Sequence, residues 1–333
     1  MDSQIDQMIQ RCDICPVLVD VGASGHPPAI WRPIAPQSVY VGFDPDEREM
    51  RDEAEGLFKR SVIVNKAVTA DPSRDAVDFY YTHSPFCSST LPPDGESLAD
   101  YLFADLFEVE REGVAPATTL EAVRRQLKLA SIDWLKVDSQ GTDLRILNSL
   151  PDAVRRGVLA VDIEPGLIDA YIGEDTFIDV HRDLTNQGFW LSDMSVLGSV
   201  RIGRDSVRAA RIASPNMDPD CISQTCRTSP GWCEARYLRS ADWLARHEAD
   251  RRQYALGWVF AMLDEQYGHA IDLAVQYAAA FGEDDSSRQM VRTPVAILRR
   301  IDRHQHYLRA RSYPIDLLRR VARRVRVAAA AAF

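Results

Sequence analysis

The stretch Val17-Leu-Val-Asp-Val-Gly-Ala-Ser-Gly25 constrains this chain more than any other. Its apolar run, broken only by Asp20, suits a strand buried on both faces, as in a parallel sheet. It leads straight into Gly22, Ala23, Ser24 and Gly25, small residues that let the backbone turn sharply and a ligand lie against the main chain. Asp20 falls at the carboxyl end of the strand, where open α/β sheets bind their ligands. A carboxylate there can accept a hydrogen bond from an ammonium or a hydroxyl.

Two further strands narrow the ligand. Residues 39–43 form the second, ending in Asp44-Pro-Asp46; an acid at that tip, about 20 residues past the glycine turn, is placed to hold a ribose diol. Residues 62–64 form the third, ending in Asn65, Lys66 and Ala67. Three polar strand ends describe a nucleoside site, of NAD or of S-adenosylmethionine. A dinucleotide site requires G-x-G-x-x-G opening a helix aimed at a pyrophosphate. Here the turn holds only G-x-x-G and runs into His26-Pro27-Pro28, which favours S-adenosylmethionine, a cofactor without phosphates.

At this point the chain resembles the FkbM family of methyltransferases. The blocks that carry the resemblance are Asp20–Gly25, Trp31-Arg32, Gly42–Asp46, Asn65–Val68, Ser88–Thr90, Thr119–Val123 and residues 132–143, in the family's order over about residues 15–200. The resemblance implies a class I Rossmann-like methyltransferase fold with a mostly parallel sheet. It also implies O-methylation of a sugar, glycan or small-molecule hydroxyl, with Ser88 and Ser89 by the mouth of the site. Gln140 departs from the family, which usually has a glutamate there. That leaves two function classes: a methyltransferase, and a non-catalytic module that keeps the nucleoside pocket without turnover.

The chemistry needs a group to take a hydroxyl proton beside the methyl donor, with the reactants held about 3–3.5 Å apart. Residues 132–137 read as a fourth strand with Asp138 at its end, and 158–164 as a fifth with Glu164 at its tip, so these two carboxylates come from neighbouring strand ends. Asp138 is the favoured base, against a purely structural cap on the helix at 142–150. The pair holding Mg²⁺ is an alternative. Residues 75–82 read as an extra strand, followed by a loop in which His83, with an ordinary pKa of about 6.5, is a second candidate base; its competing reading is an exposed loop histidine.

Around this core, residues 1–11 read as a helix burying Ile5, Met8 and Ile9. The Pro-rich segment 26–36 replaces the helix after the first strand, and 46–59 reads as a helix after the second. Residues 91–113 read as a helical insertion, 176–188 as a helix and 189–196 as a sixth strand. Residues 201–235, punctuated by Pro215, Pro219, Pro230 and Gly231, read as a loop or peripheral excursion, and the rest as helical. The expected division is therefore a methyltransferase domain over 1–200 and an α-helical extension over 201–333.

A net charge of −10 argues against nucleic-acid binding. The absence of a charged-then-apolar leader points to a cytoplasmic protein. The tail reverses the charge. Arg319, Arg320, Arg323, Arg324 and Arg326 alternate with Leu318, Val321 and Val325 at helical spacing, giving a basic helix suited either to peripheral contact with an anionic membrane or to an ordinary solvated face. Six cysteines, including Cys12-x-x-Cys15 and the group Cys221, Cys226 and Cys233, read as reduced thiols, with zinc as the competing reading.

Overall fold

Successive side chains of a strand point to opposite faces, and the first strand obeys this with a core on either side. Val17, Val19 and Val21 enter one hydrophobic cluster and Leu18 enters another. A computed structural model describes residues 2–46, 54, 56–218 and 220–304. Its strands, in chain order, are β1 (Val17–Val21), β2 (Val39–Phe43), β3 (Arg60–Val64), β4 (Ala67–Val68), β5 (Ala76–Thr82), β6 (Val109–Thr118), β7 (Trp134–Val137), β8 (Ala160–Ile163), β9 (Phe189–Val200) and β10 (Thr228–Arg239).

Seven of these form one sheet in the order β3-β2-β1-β7-β8-β10-β9, and β4, β6 and β5 form a smaller one. Within the large sheet β1, β2, β3, β7 and β8 run parallel. β10 is antiparallel to both β8 and β9. Helices cover both faces. Leu120, Ile146, Leu147, Val180 and Leu184 close one side; Ile5, Met8 and Ile9 of the helix Asp2–Arg11 close the other, with Leu256, Val259 and Phe260 of the helix Arg251–Leu263. The protein is thus α/β, with a mostly parallel seven-stranded sheet compatible with a Rossmann-like fold.

The Pro-rich segment after β1 forms two 3-10 turns, Ala29–Trp31 and Ala35–Gln37, instead of a helix. Trp31 is fully buried, edge-on to Tyr40 and Trp134 with ring centroids 6.2 and 6.0 Å away.

Three expectations are corrected. Residues 201–235 are not a peripheral loop: they hold the helices Arg204–Ala213 and Cys221–Thr225, and from Thr228 they enter β10, which sits between β8 and β9. Pro230 and Gly231 lie in that strand at a register shift, where the missing proline N–H is tolerated. A boundary at residue 200 therefore cuts the sheet between β9 and β10; the segment after it is helical before β10 and helical again from Ala241–Arg246. Residues 91–113 are not a helical insertion: a four-residue helix, Gly95–Leu98, and a 3-10 turn, Leu102–Phe107, lead into β6.

The helix expected at 46–59 falls largely on residues 47–53 and 55, outside the described residues, and 56–59 are turn and bend. The basic tail helix lies outside them too. Among the described residues no helix is long and apolar enough to cross a membrane.

Candidate functional site

Parallel strands that end together leave a crevice at their carboxyl ends. Here it is a cleft of about 290 Å³, bordered by Gly22 and Ser24 after β1, Asp44 and Asp46 after β2, Lys66 and Ala67 beside β4, Asp138 after β7 and Glu164 after β8. Phe79 of β5 and the loop holding Pro85, Phe86, Ser88 and Thr90 cover it from the smaller sheet.

The turn after β1 is fixed by its neighbours. The N–H groups of Gly22 and Ala23 both donate to the Phe43 carbonyl, at 2.9 Å each. Gly22 has φ +78°, and a Cβ there would lie 2.1 Å from the Asp138 carbonyl oxygen. The backbones at the ends of β1 and β7 thus touch, and only glycine fits between them. Gly25 also has φ +79° but faces open space.

Asp44 is 7% exposed, and its Oδ1 accepts from the Asp46 N–H at 2.8 Å. Burial first, and then nearby Asp46 and Asp138, push its carboxyl up to about 6 despite that hydrogen bond. Asp138 receives the Gln140 side-chain amide at 2.6 Å on Oδ1, with the Lys136 ammonium 3.9 Å from Oδ2. Gln140 is held in turn: Ser89 Oγ donates to its carbonyl at 2.6 Å and the Tyr171 hydroxyl to its Oε1 at 2.8 Å.

Glu164 stands apart electrostatically. Burial, then the charges of Asp138, Asp143 and Glu234, push its carboxyl up to about 9. Asp143 clamps the two strand ends together, its Oδ1 accepting from the Ser139 N–H at 2.8 Å and its Oδ2 from the Glu164 N–H at 3.2 Å. Burial and Asp138 raise the Asp143 carboxyl to about 7.

The remaining sequence candidates lie elsewhere. Asp20 does not border the cleft. It is 2% exposed and lies on the same sheet face as Lys136, its register neighbour on β7, whose ammonium is 3.0 Å away; the Tyr40 hydroxyl donates to it, also at 3.0 Å. Burial works against the Lys136 charge, but Asp20 and Asp138 outweigh it and hold the ammonium above its ordinary value. Asp20 therefore orients Lys136, and the side chain expected to meet a ligand meets a lysine.

His83 is not brought to the site either. The β5–β6 pairing turns its ring to solvent, where Nδ1 lies 3.1 Å from Glu110 Oε1. Asn65 is exposed and outside the cleft, Ala23 is buried and does not line it, and Ser89 hydrogen-bonds the Gln140 carbonyl. Cys12 and Cys15 both precede β1 while Cys233 is buried on β10, and all six thiols are free. Among the described residues no group of three or more His, Cys, Asp or Glu side chains is placed to hold a metal ion.

Sequence reasoning passed over Phe86, 60% exposed on its loop, and Lys136, within β7. Phe86 carries a signal, a large aromatic in a polar segment with neither helix nor strand period. Lys136 carries one too, a charge inside an apolar strand. Phe86 and Glu164 also border two neighbouring cavities, one of about 400 Å³ reaching Asp193, Glu234 and Arg236, and one of about 260 Å³.

The fold and site define an α/β protein with a mostly parallel sheet and an acidic cleft at its strand ends. Comparison with models of known families, with curated proteins and with solved structures finds no match to this chain.

Proposed function

We propose that the protein is an S-adenosylmethionine-dependent methyltransferase acting on a hydroxyl acceptor, a sugar, glycan or small molecule. The observation that carries this reading is the convergence of Gly22, Asp44, Asp138 and Glu164, from four strand ends, on one cleft whose tightest wall admits only a glycine. Asp44 is placed for a ribose diol, Gly22 and Ser24 let a ligand lie against the main chain, and Val68 and Phe79 offer apolar surface. When bound, S-adenosylmethionine supplies an electrophilic methyl group on a sulfonium.

The residues of the chain supply the rest. Burial and the neighbouring carboxylates favour the protonated form of Glu164, so Asp138 accepts the proton of the acceptor hydroxyl while Gln140 fixes its orientation. The covered cleft holds the acceptor and limits water. A divalent cation between Asp138 and Glu164 remains an alternative, one that requires Glu164 to release its proton.

A dinucleotide is disfavoured on two grounds. The N–H groups of Gly22 and Ala23 are spent on Phe43, and Pro27 and Pro28 have none to give to a pyrophosphate. β10 also intrudes between β8 and β9, where the dinucleotide-binding order 3-2-1-4-5-6 has no such strand. Gln140, the residue that suggested a module without turnover, donates to Asp138 as a carboxylate could not.

Calorimetric titration of the full chain with S-adenosylmethionine, S-adenosylhomocysteine and NAD tests the proposal. Binding of the first two, weakened about tenfold to a hundredfold in Asp44→Ala through loss of charge-assisted hydrogen bonds, supports it. Binding of NAD alone overturns it.

A further inference from the structure

Phe86, Gln140 and Glu164 border both the cleft and a neighbouring pocket of about 260 Å³, to whose lining five aromatic rings contribute. Phe86 comes from the loop over the cofactor cleft, Phe103 and Phe107 from the turn Leu102–Phe107, Tyr171 from the segment after β8 and Trp232 from β10. Trp232, Phe103, Phe107 and Tyr171 form a continuous wall, with centroid separations of 6.0, 5.2 and 5.6 Å along it. These rings line an opening instead of filling it, although a core of this composition would ordinarily close on itself.

Part of the polar lining at the back of the pocket is already engaged, Glu174 through its Oε1. The Tyr171 hydroxyl shares its single proton between the Cys87 carbonyl and Gln140 Oε1, each 2.8 Å away. The Glu174 carboxylate accepts from the backbone N–H groups of Ala170 and Tyr171. A bare sugar placed there would meet mostly aromatic and apolar surface, with the carboxyl groups of Glu164 and Glu174 only at its edge. Glu164 borders both this pocket and the cofactor cleft, so a hydroxyl beside it lies at the threshold of the rings.

We infer that the pocket receives an aromatic ring of the acceptor, so that the substrate is an aryl-bearing hydroxyl compound, its ring among Phe103, Phe107, Tyr171 and Trp232 and its hydroxyl past Glu164 in the cleft that Asp138 also borders. The inference rests on the methyltransferase reading and narrows its acceptor class.

Phenyl β-D-glucoside and methyl β-D-glucoside differ only in the group offered to the pocket. Their binding to the full chain is measured by calorimetry or ligand-detected NMR, with and without S-adenosylhomocysteine, and tetramethylammonium serves as a third probe. The expected result is a preference of at least about tenfold for the phenyl glycoside. That preference is lost in Trp232→Ala and in Phe107→Ala, while affinity for S-adenosylhomocysteine is kept. Equal affinities, including no detectable binding of either glycoside, overturn the inference; so does tighter binding of tetramethylammonium, which would mark the rings as a cage for a cation. The comparison in the unsubstituted protein carries the test even if a variant misfolds. Failure of S-adenosylhomocysteine to bind counts against the methyltransferase reading, whereas the phenyl preference is read on the protein alone and stands or falls separately.

Discussion

Gln140 donates its side-chain amide to Asp138 across 2.6 Å, and it does so from a left-handed backbone, φ +57°. The conformation is held from two sides by Ser89 and Tyr171. An amide here presents a donor to a carboxylate; a glutamate would present a second negative charge.

Gln140→Glu is therefore expected to destabilise the protein at pH 8 by about 1–3 kcal/mol, the cost of a lost donor to a charged group. The deficit should shrink toward pH 5, where the paired carboxylates can share a proton. Urea unfolding of both proteins at the two pH values reads this out. A deficit independent of pH would show that residue 140 does not bear on the charge of Asp138.

How much of this was legible in the sequence follows from where each interaction is encoded. β1, its turn and the acid after β2 were readable because local spacing alone fixes a buried strand and a glycine bend. Asp138 and Glu164 were readable because each follows an apolar run. Asp20 was misassigned because its fate depends on Lys136, 116 residues away, which alternation places on the same sheet face. β10 was hidden because Pro230 and Gly231 break the local pattern of a strand whose place is set by pairing with β8 and β9. The ring-lined pocket draws on four separate segments and has no local signature at all.

The two left-handed glycines of the first turn make a matched pair. Alanine at either position carries the left-handed penalty of about 1–2 kcal/mol. Only at Gly22 does the new Cβ also meet the Asp138 carbonyl, at 2.1 Å. Gly22→Ala should therefore cost roughly 2–5 kcal/mol, overpacking added to strain, and should impair cofactor binding. Gly25→Ala should stay near the strain penalty and bind normally. Thermal unfolding and calorimetry on both variants check this; equal losses would mean that the contact between β1 and β7 relaxes freely.

Four carboxyl groups around the cleft and the aromatic pocket carry raised values: Asp44 at about 6, Asp143 and Glu174 at about 7, and Glu164 at about 9, each chiefly through burial. Each binds a proton more tightly when folded than when unfolded. Their contribution to stability is complete below the ordinary carboxylate range and is lost as pH rises through the folded values. Stability should therefore fall from about pH 5 to pH 9, with the stretch above pH 7 belonging to Glu164. Glu164→Gln, which cannot ionise, should flatten that upper stretch and leave the lower one. Urea midpoints across the range test this, and an unchanged slope above pH 7 in the variant would reject the assignment.

The helices after β10 are tied to the sheet they cover. Arg252, on the helix Arg251–Leu263, grips the fully buried Asp133 just before β7 with two hydrogen bonds, 2.8 Å to Oδ1 and 2.7 Å to Oδ2. Asp133 Oδ2 in turn accepts from the Val17 N–H at 2.8 Å, so one carboxylate joins β1, β7 and the C-terminal helices. Removing the guanidinium leaves a buried charge whose cost is about 3–5 kcal/mol in a sealed site, less here because the Arg252 side chain is one-third exposed. Arg252→Ala should thus lower stability by roughly 2–3 kcal/mol, and Arg252→Ala with Asp133→Asn should recover part of the loss, since the neutral amide no longer needs a counter-ion. A chain ending at residue 200 loses both this tie and β10, the strand on which β8 and β9 pair, and should not yield a cooperative unfolding transition. A sharp transition from that fragment would instead make the first 200 residues a folding unit of their own.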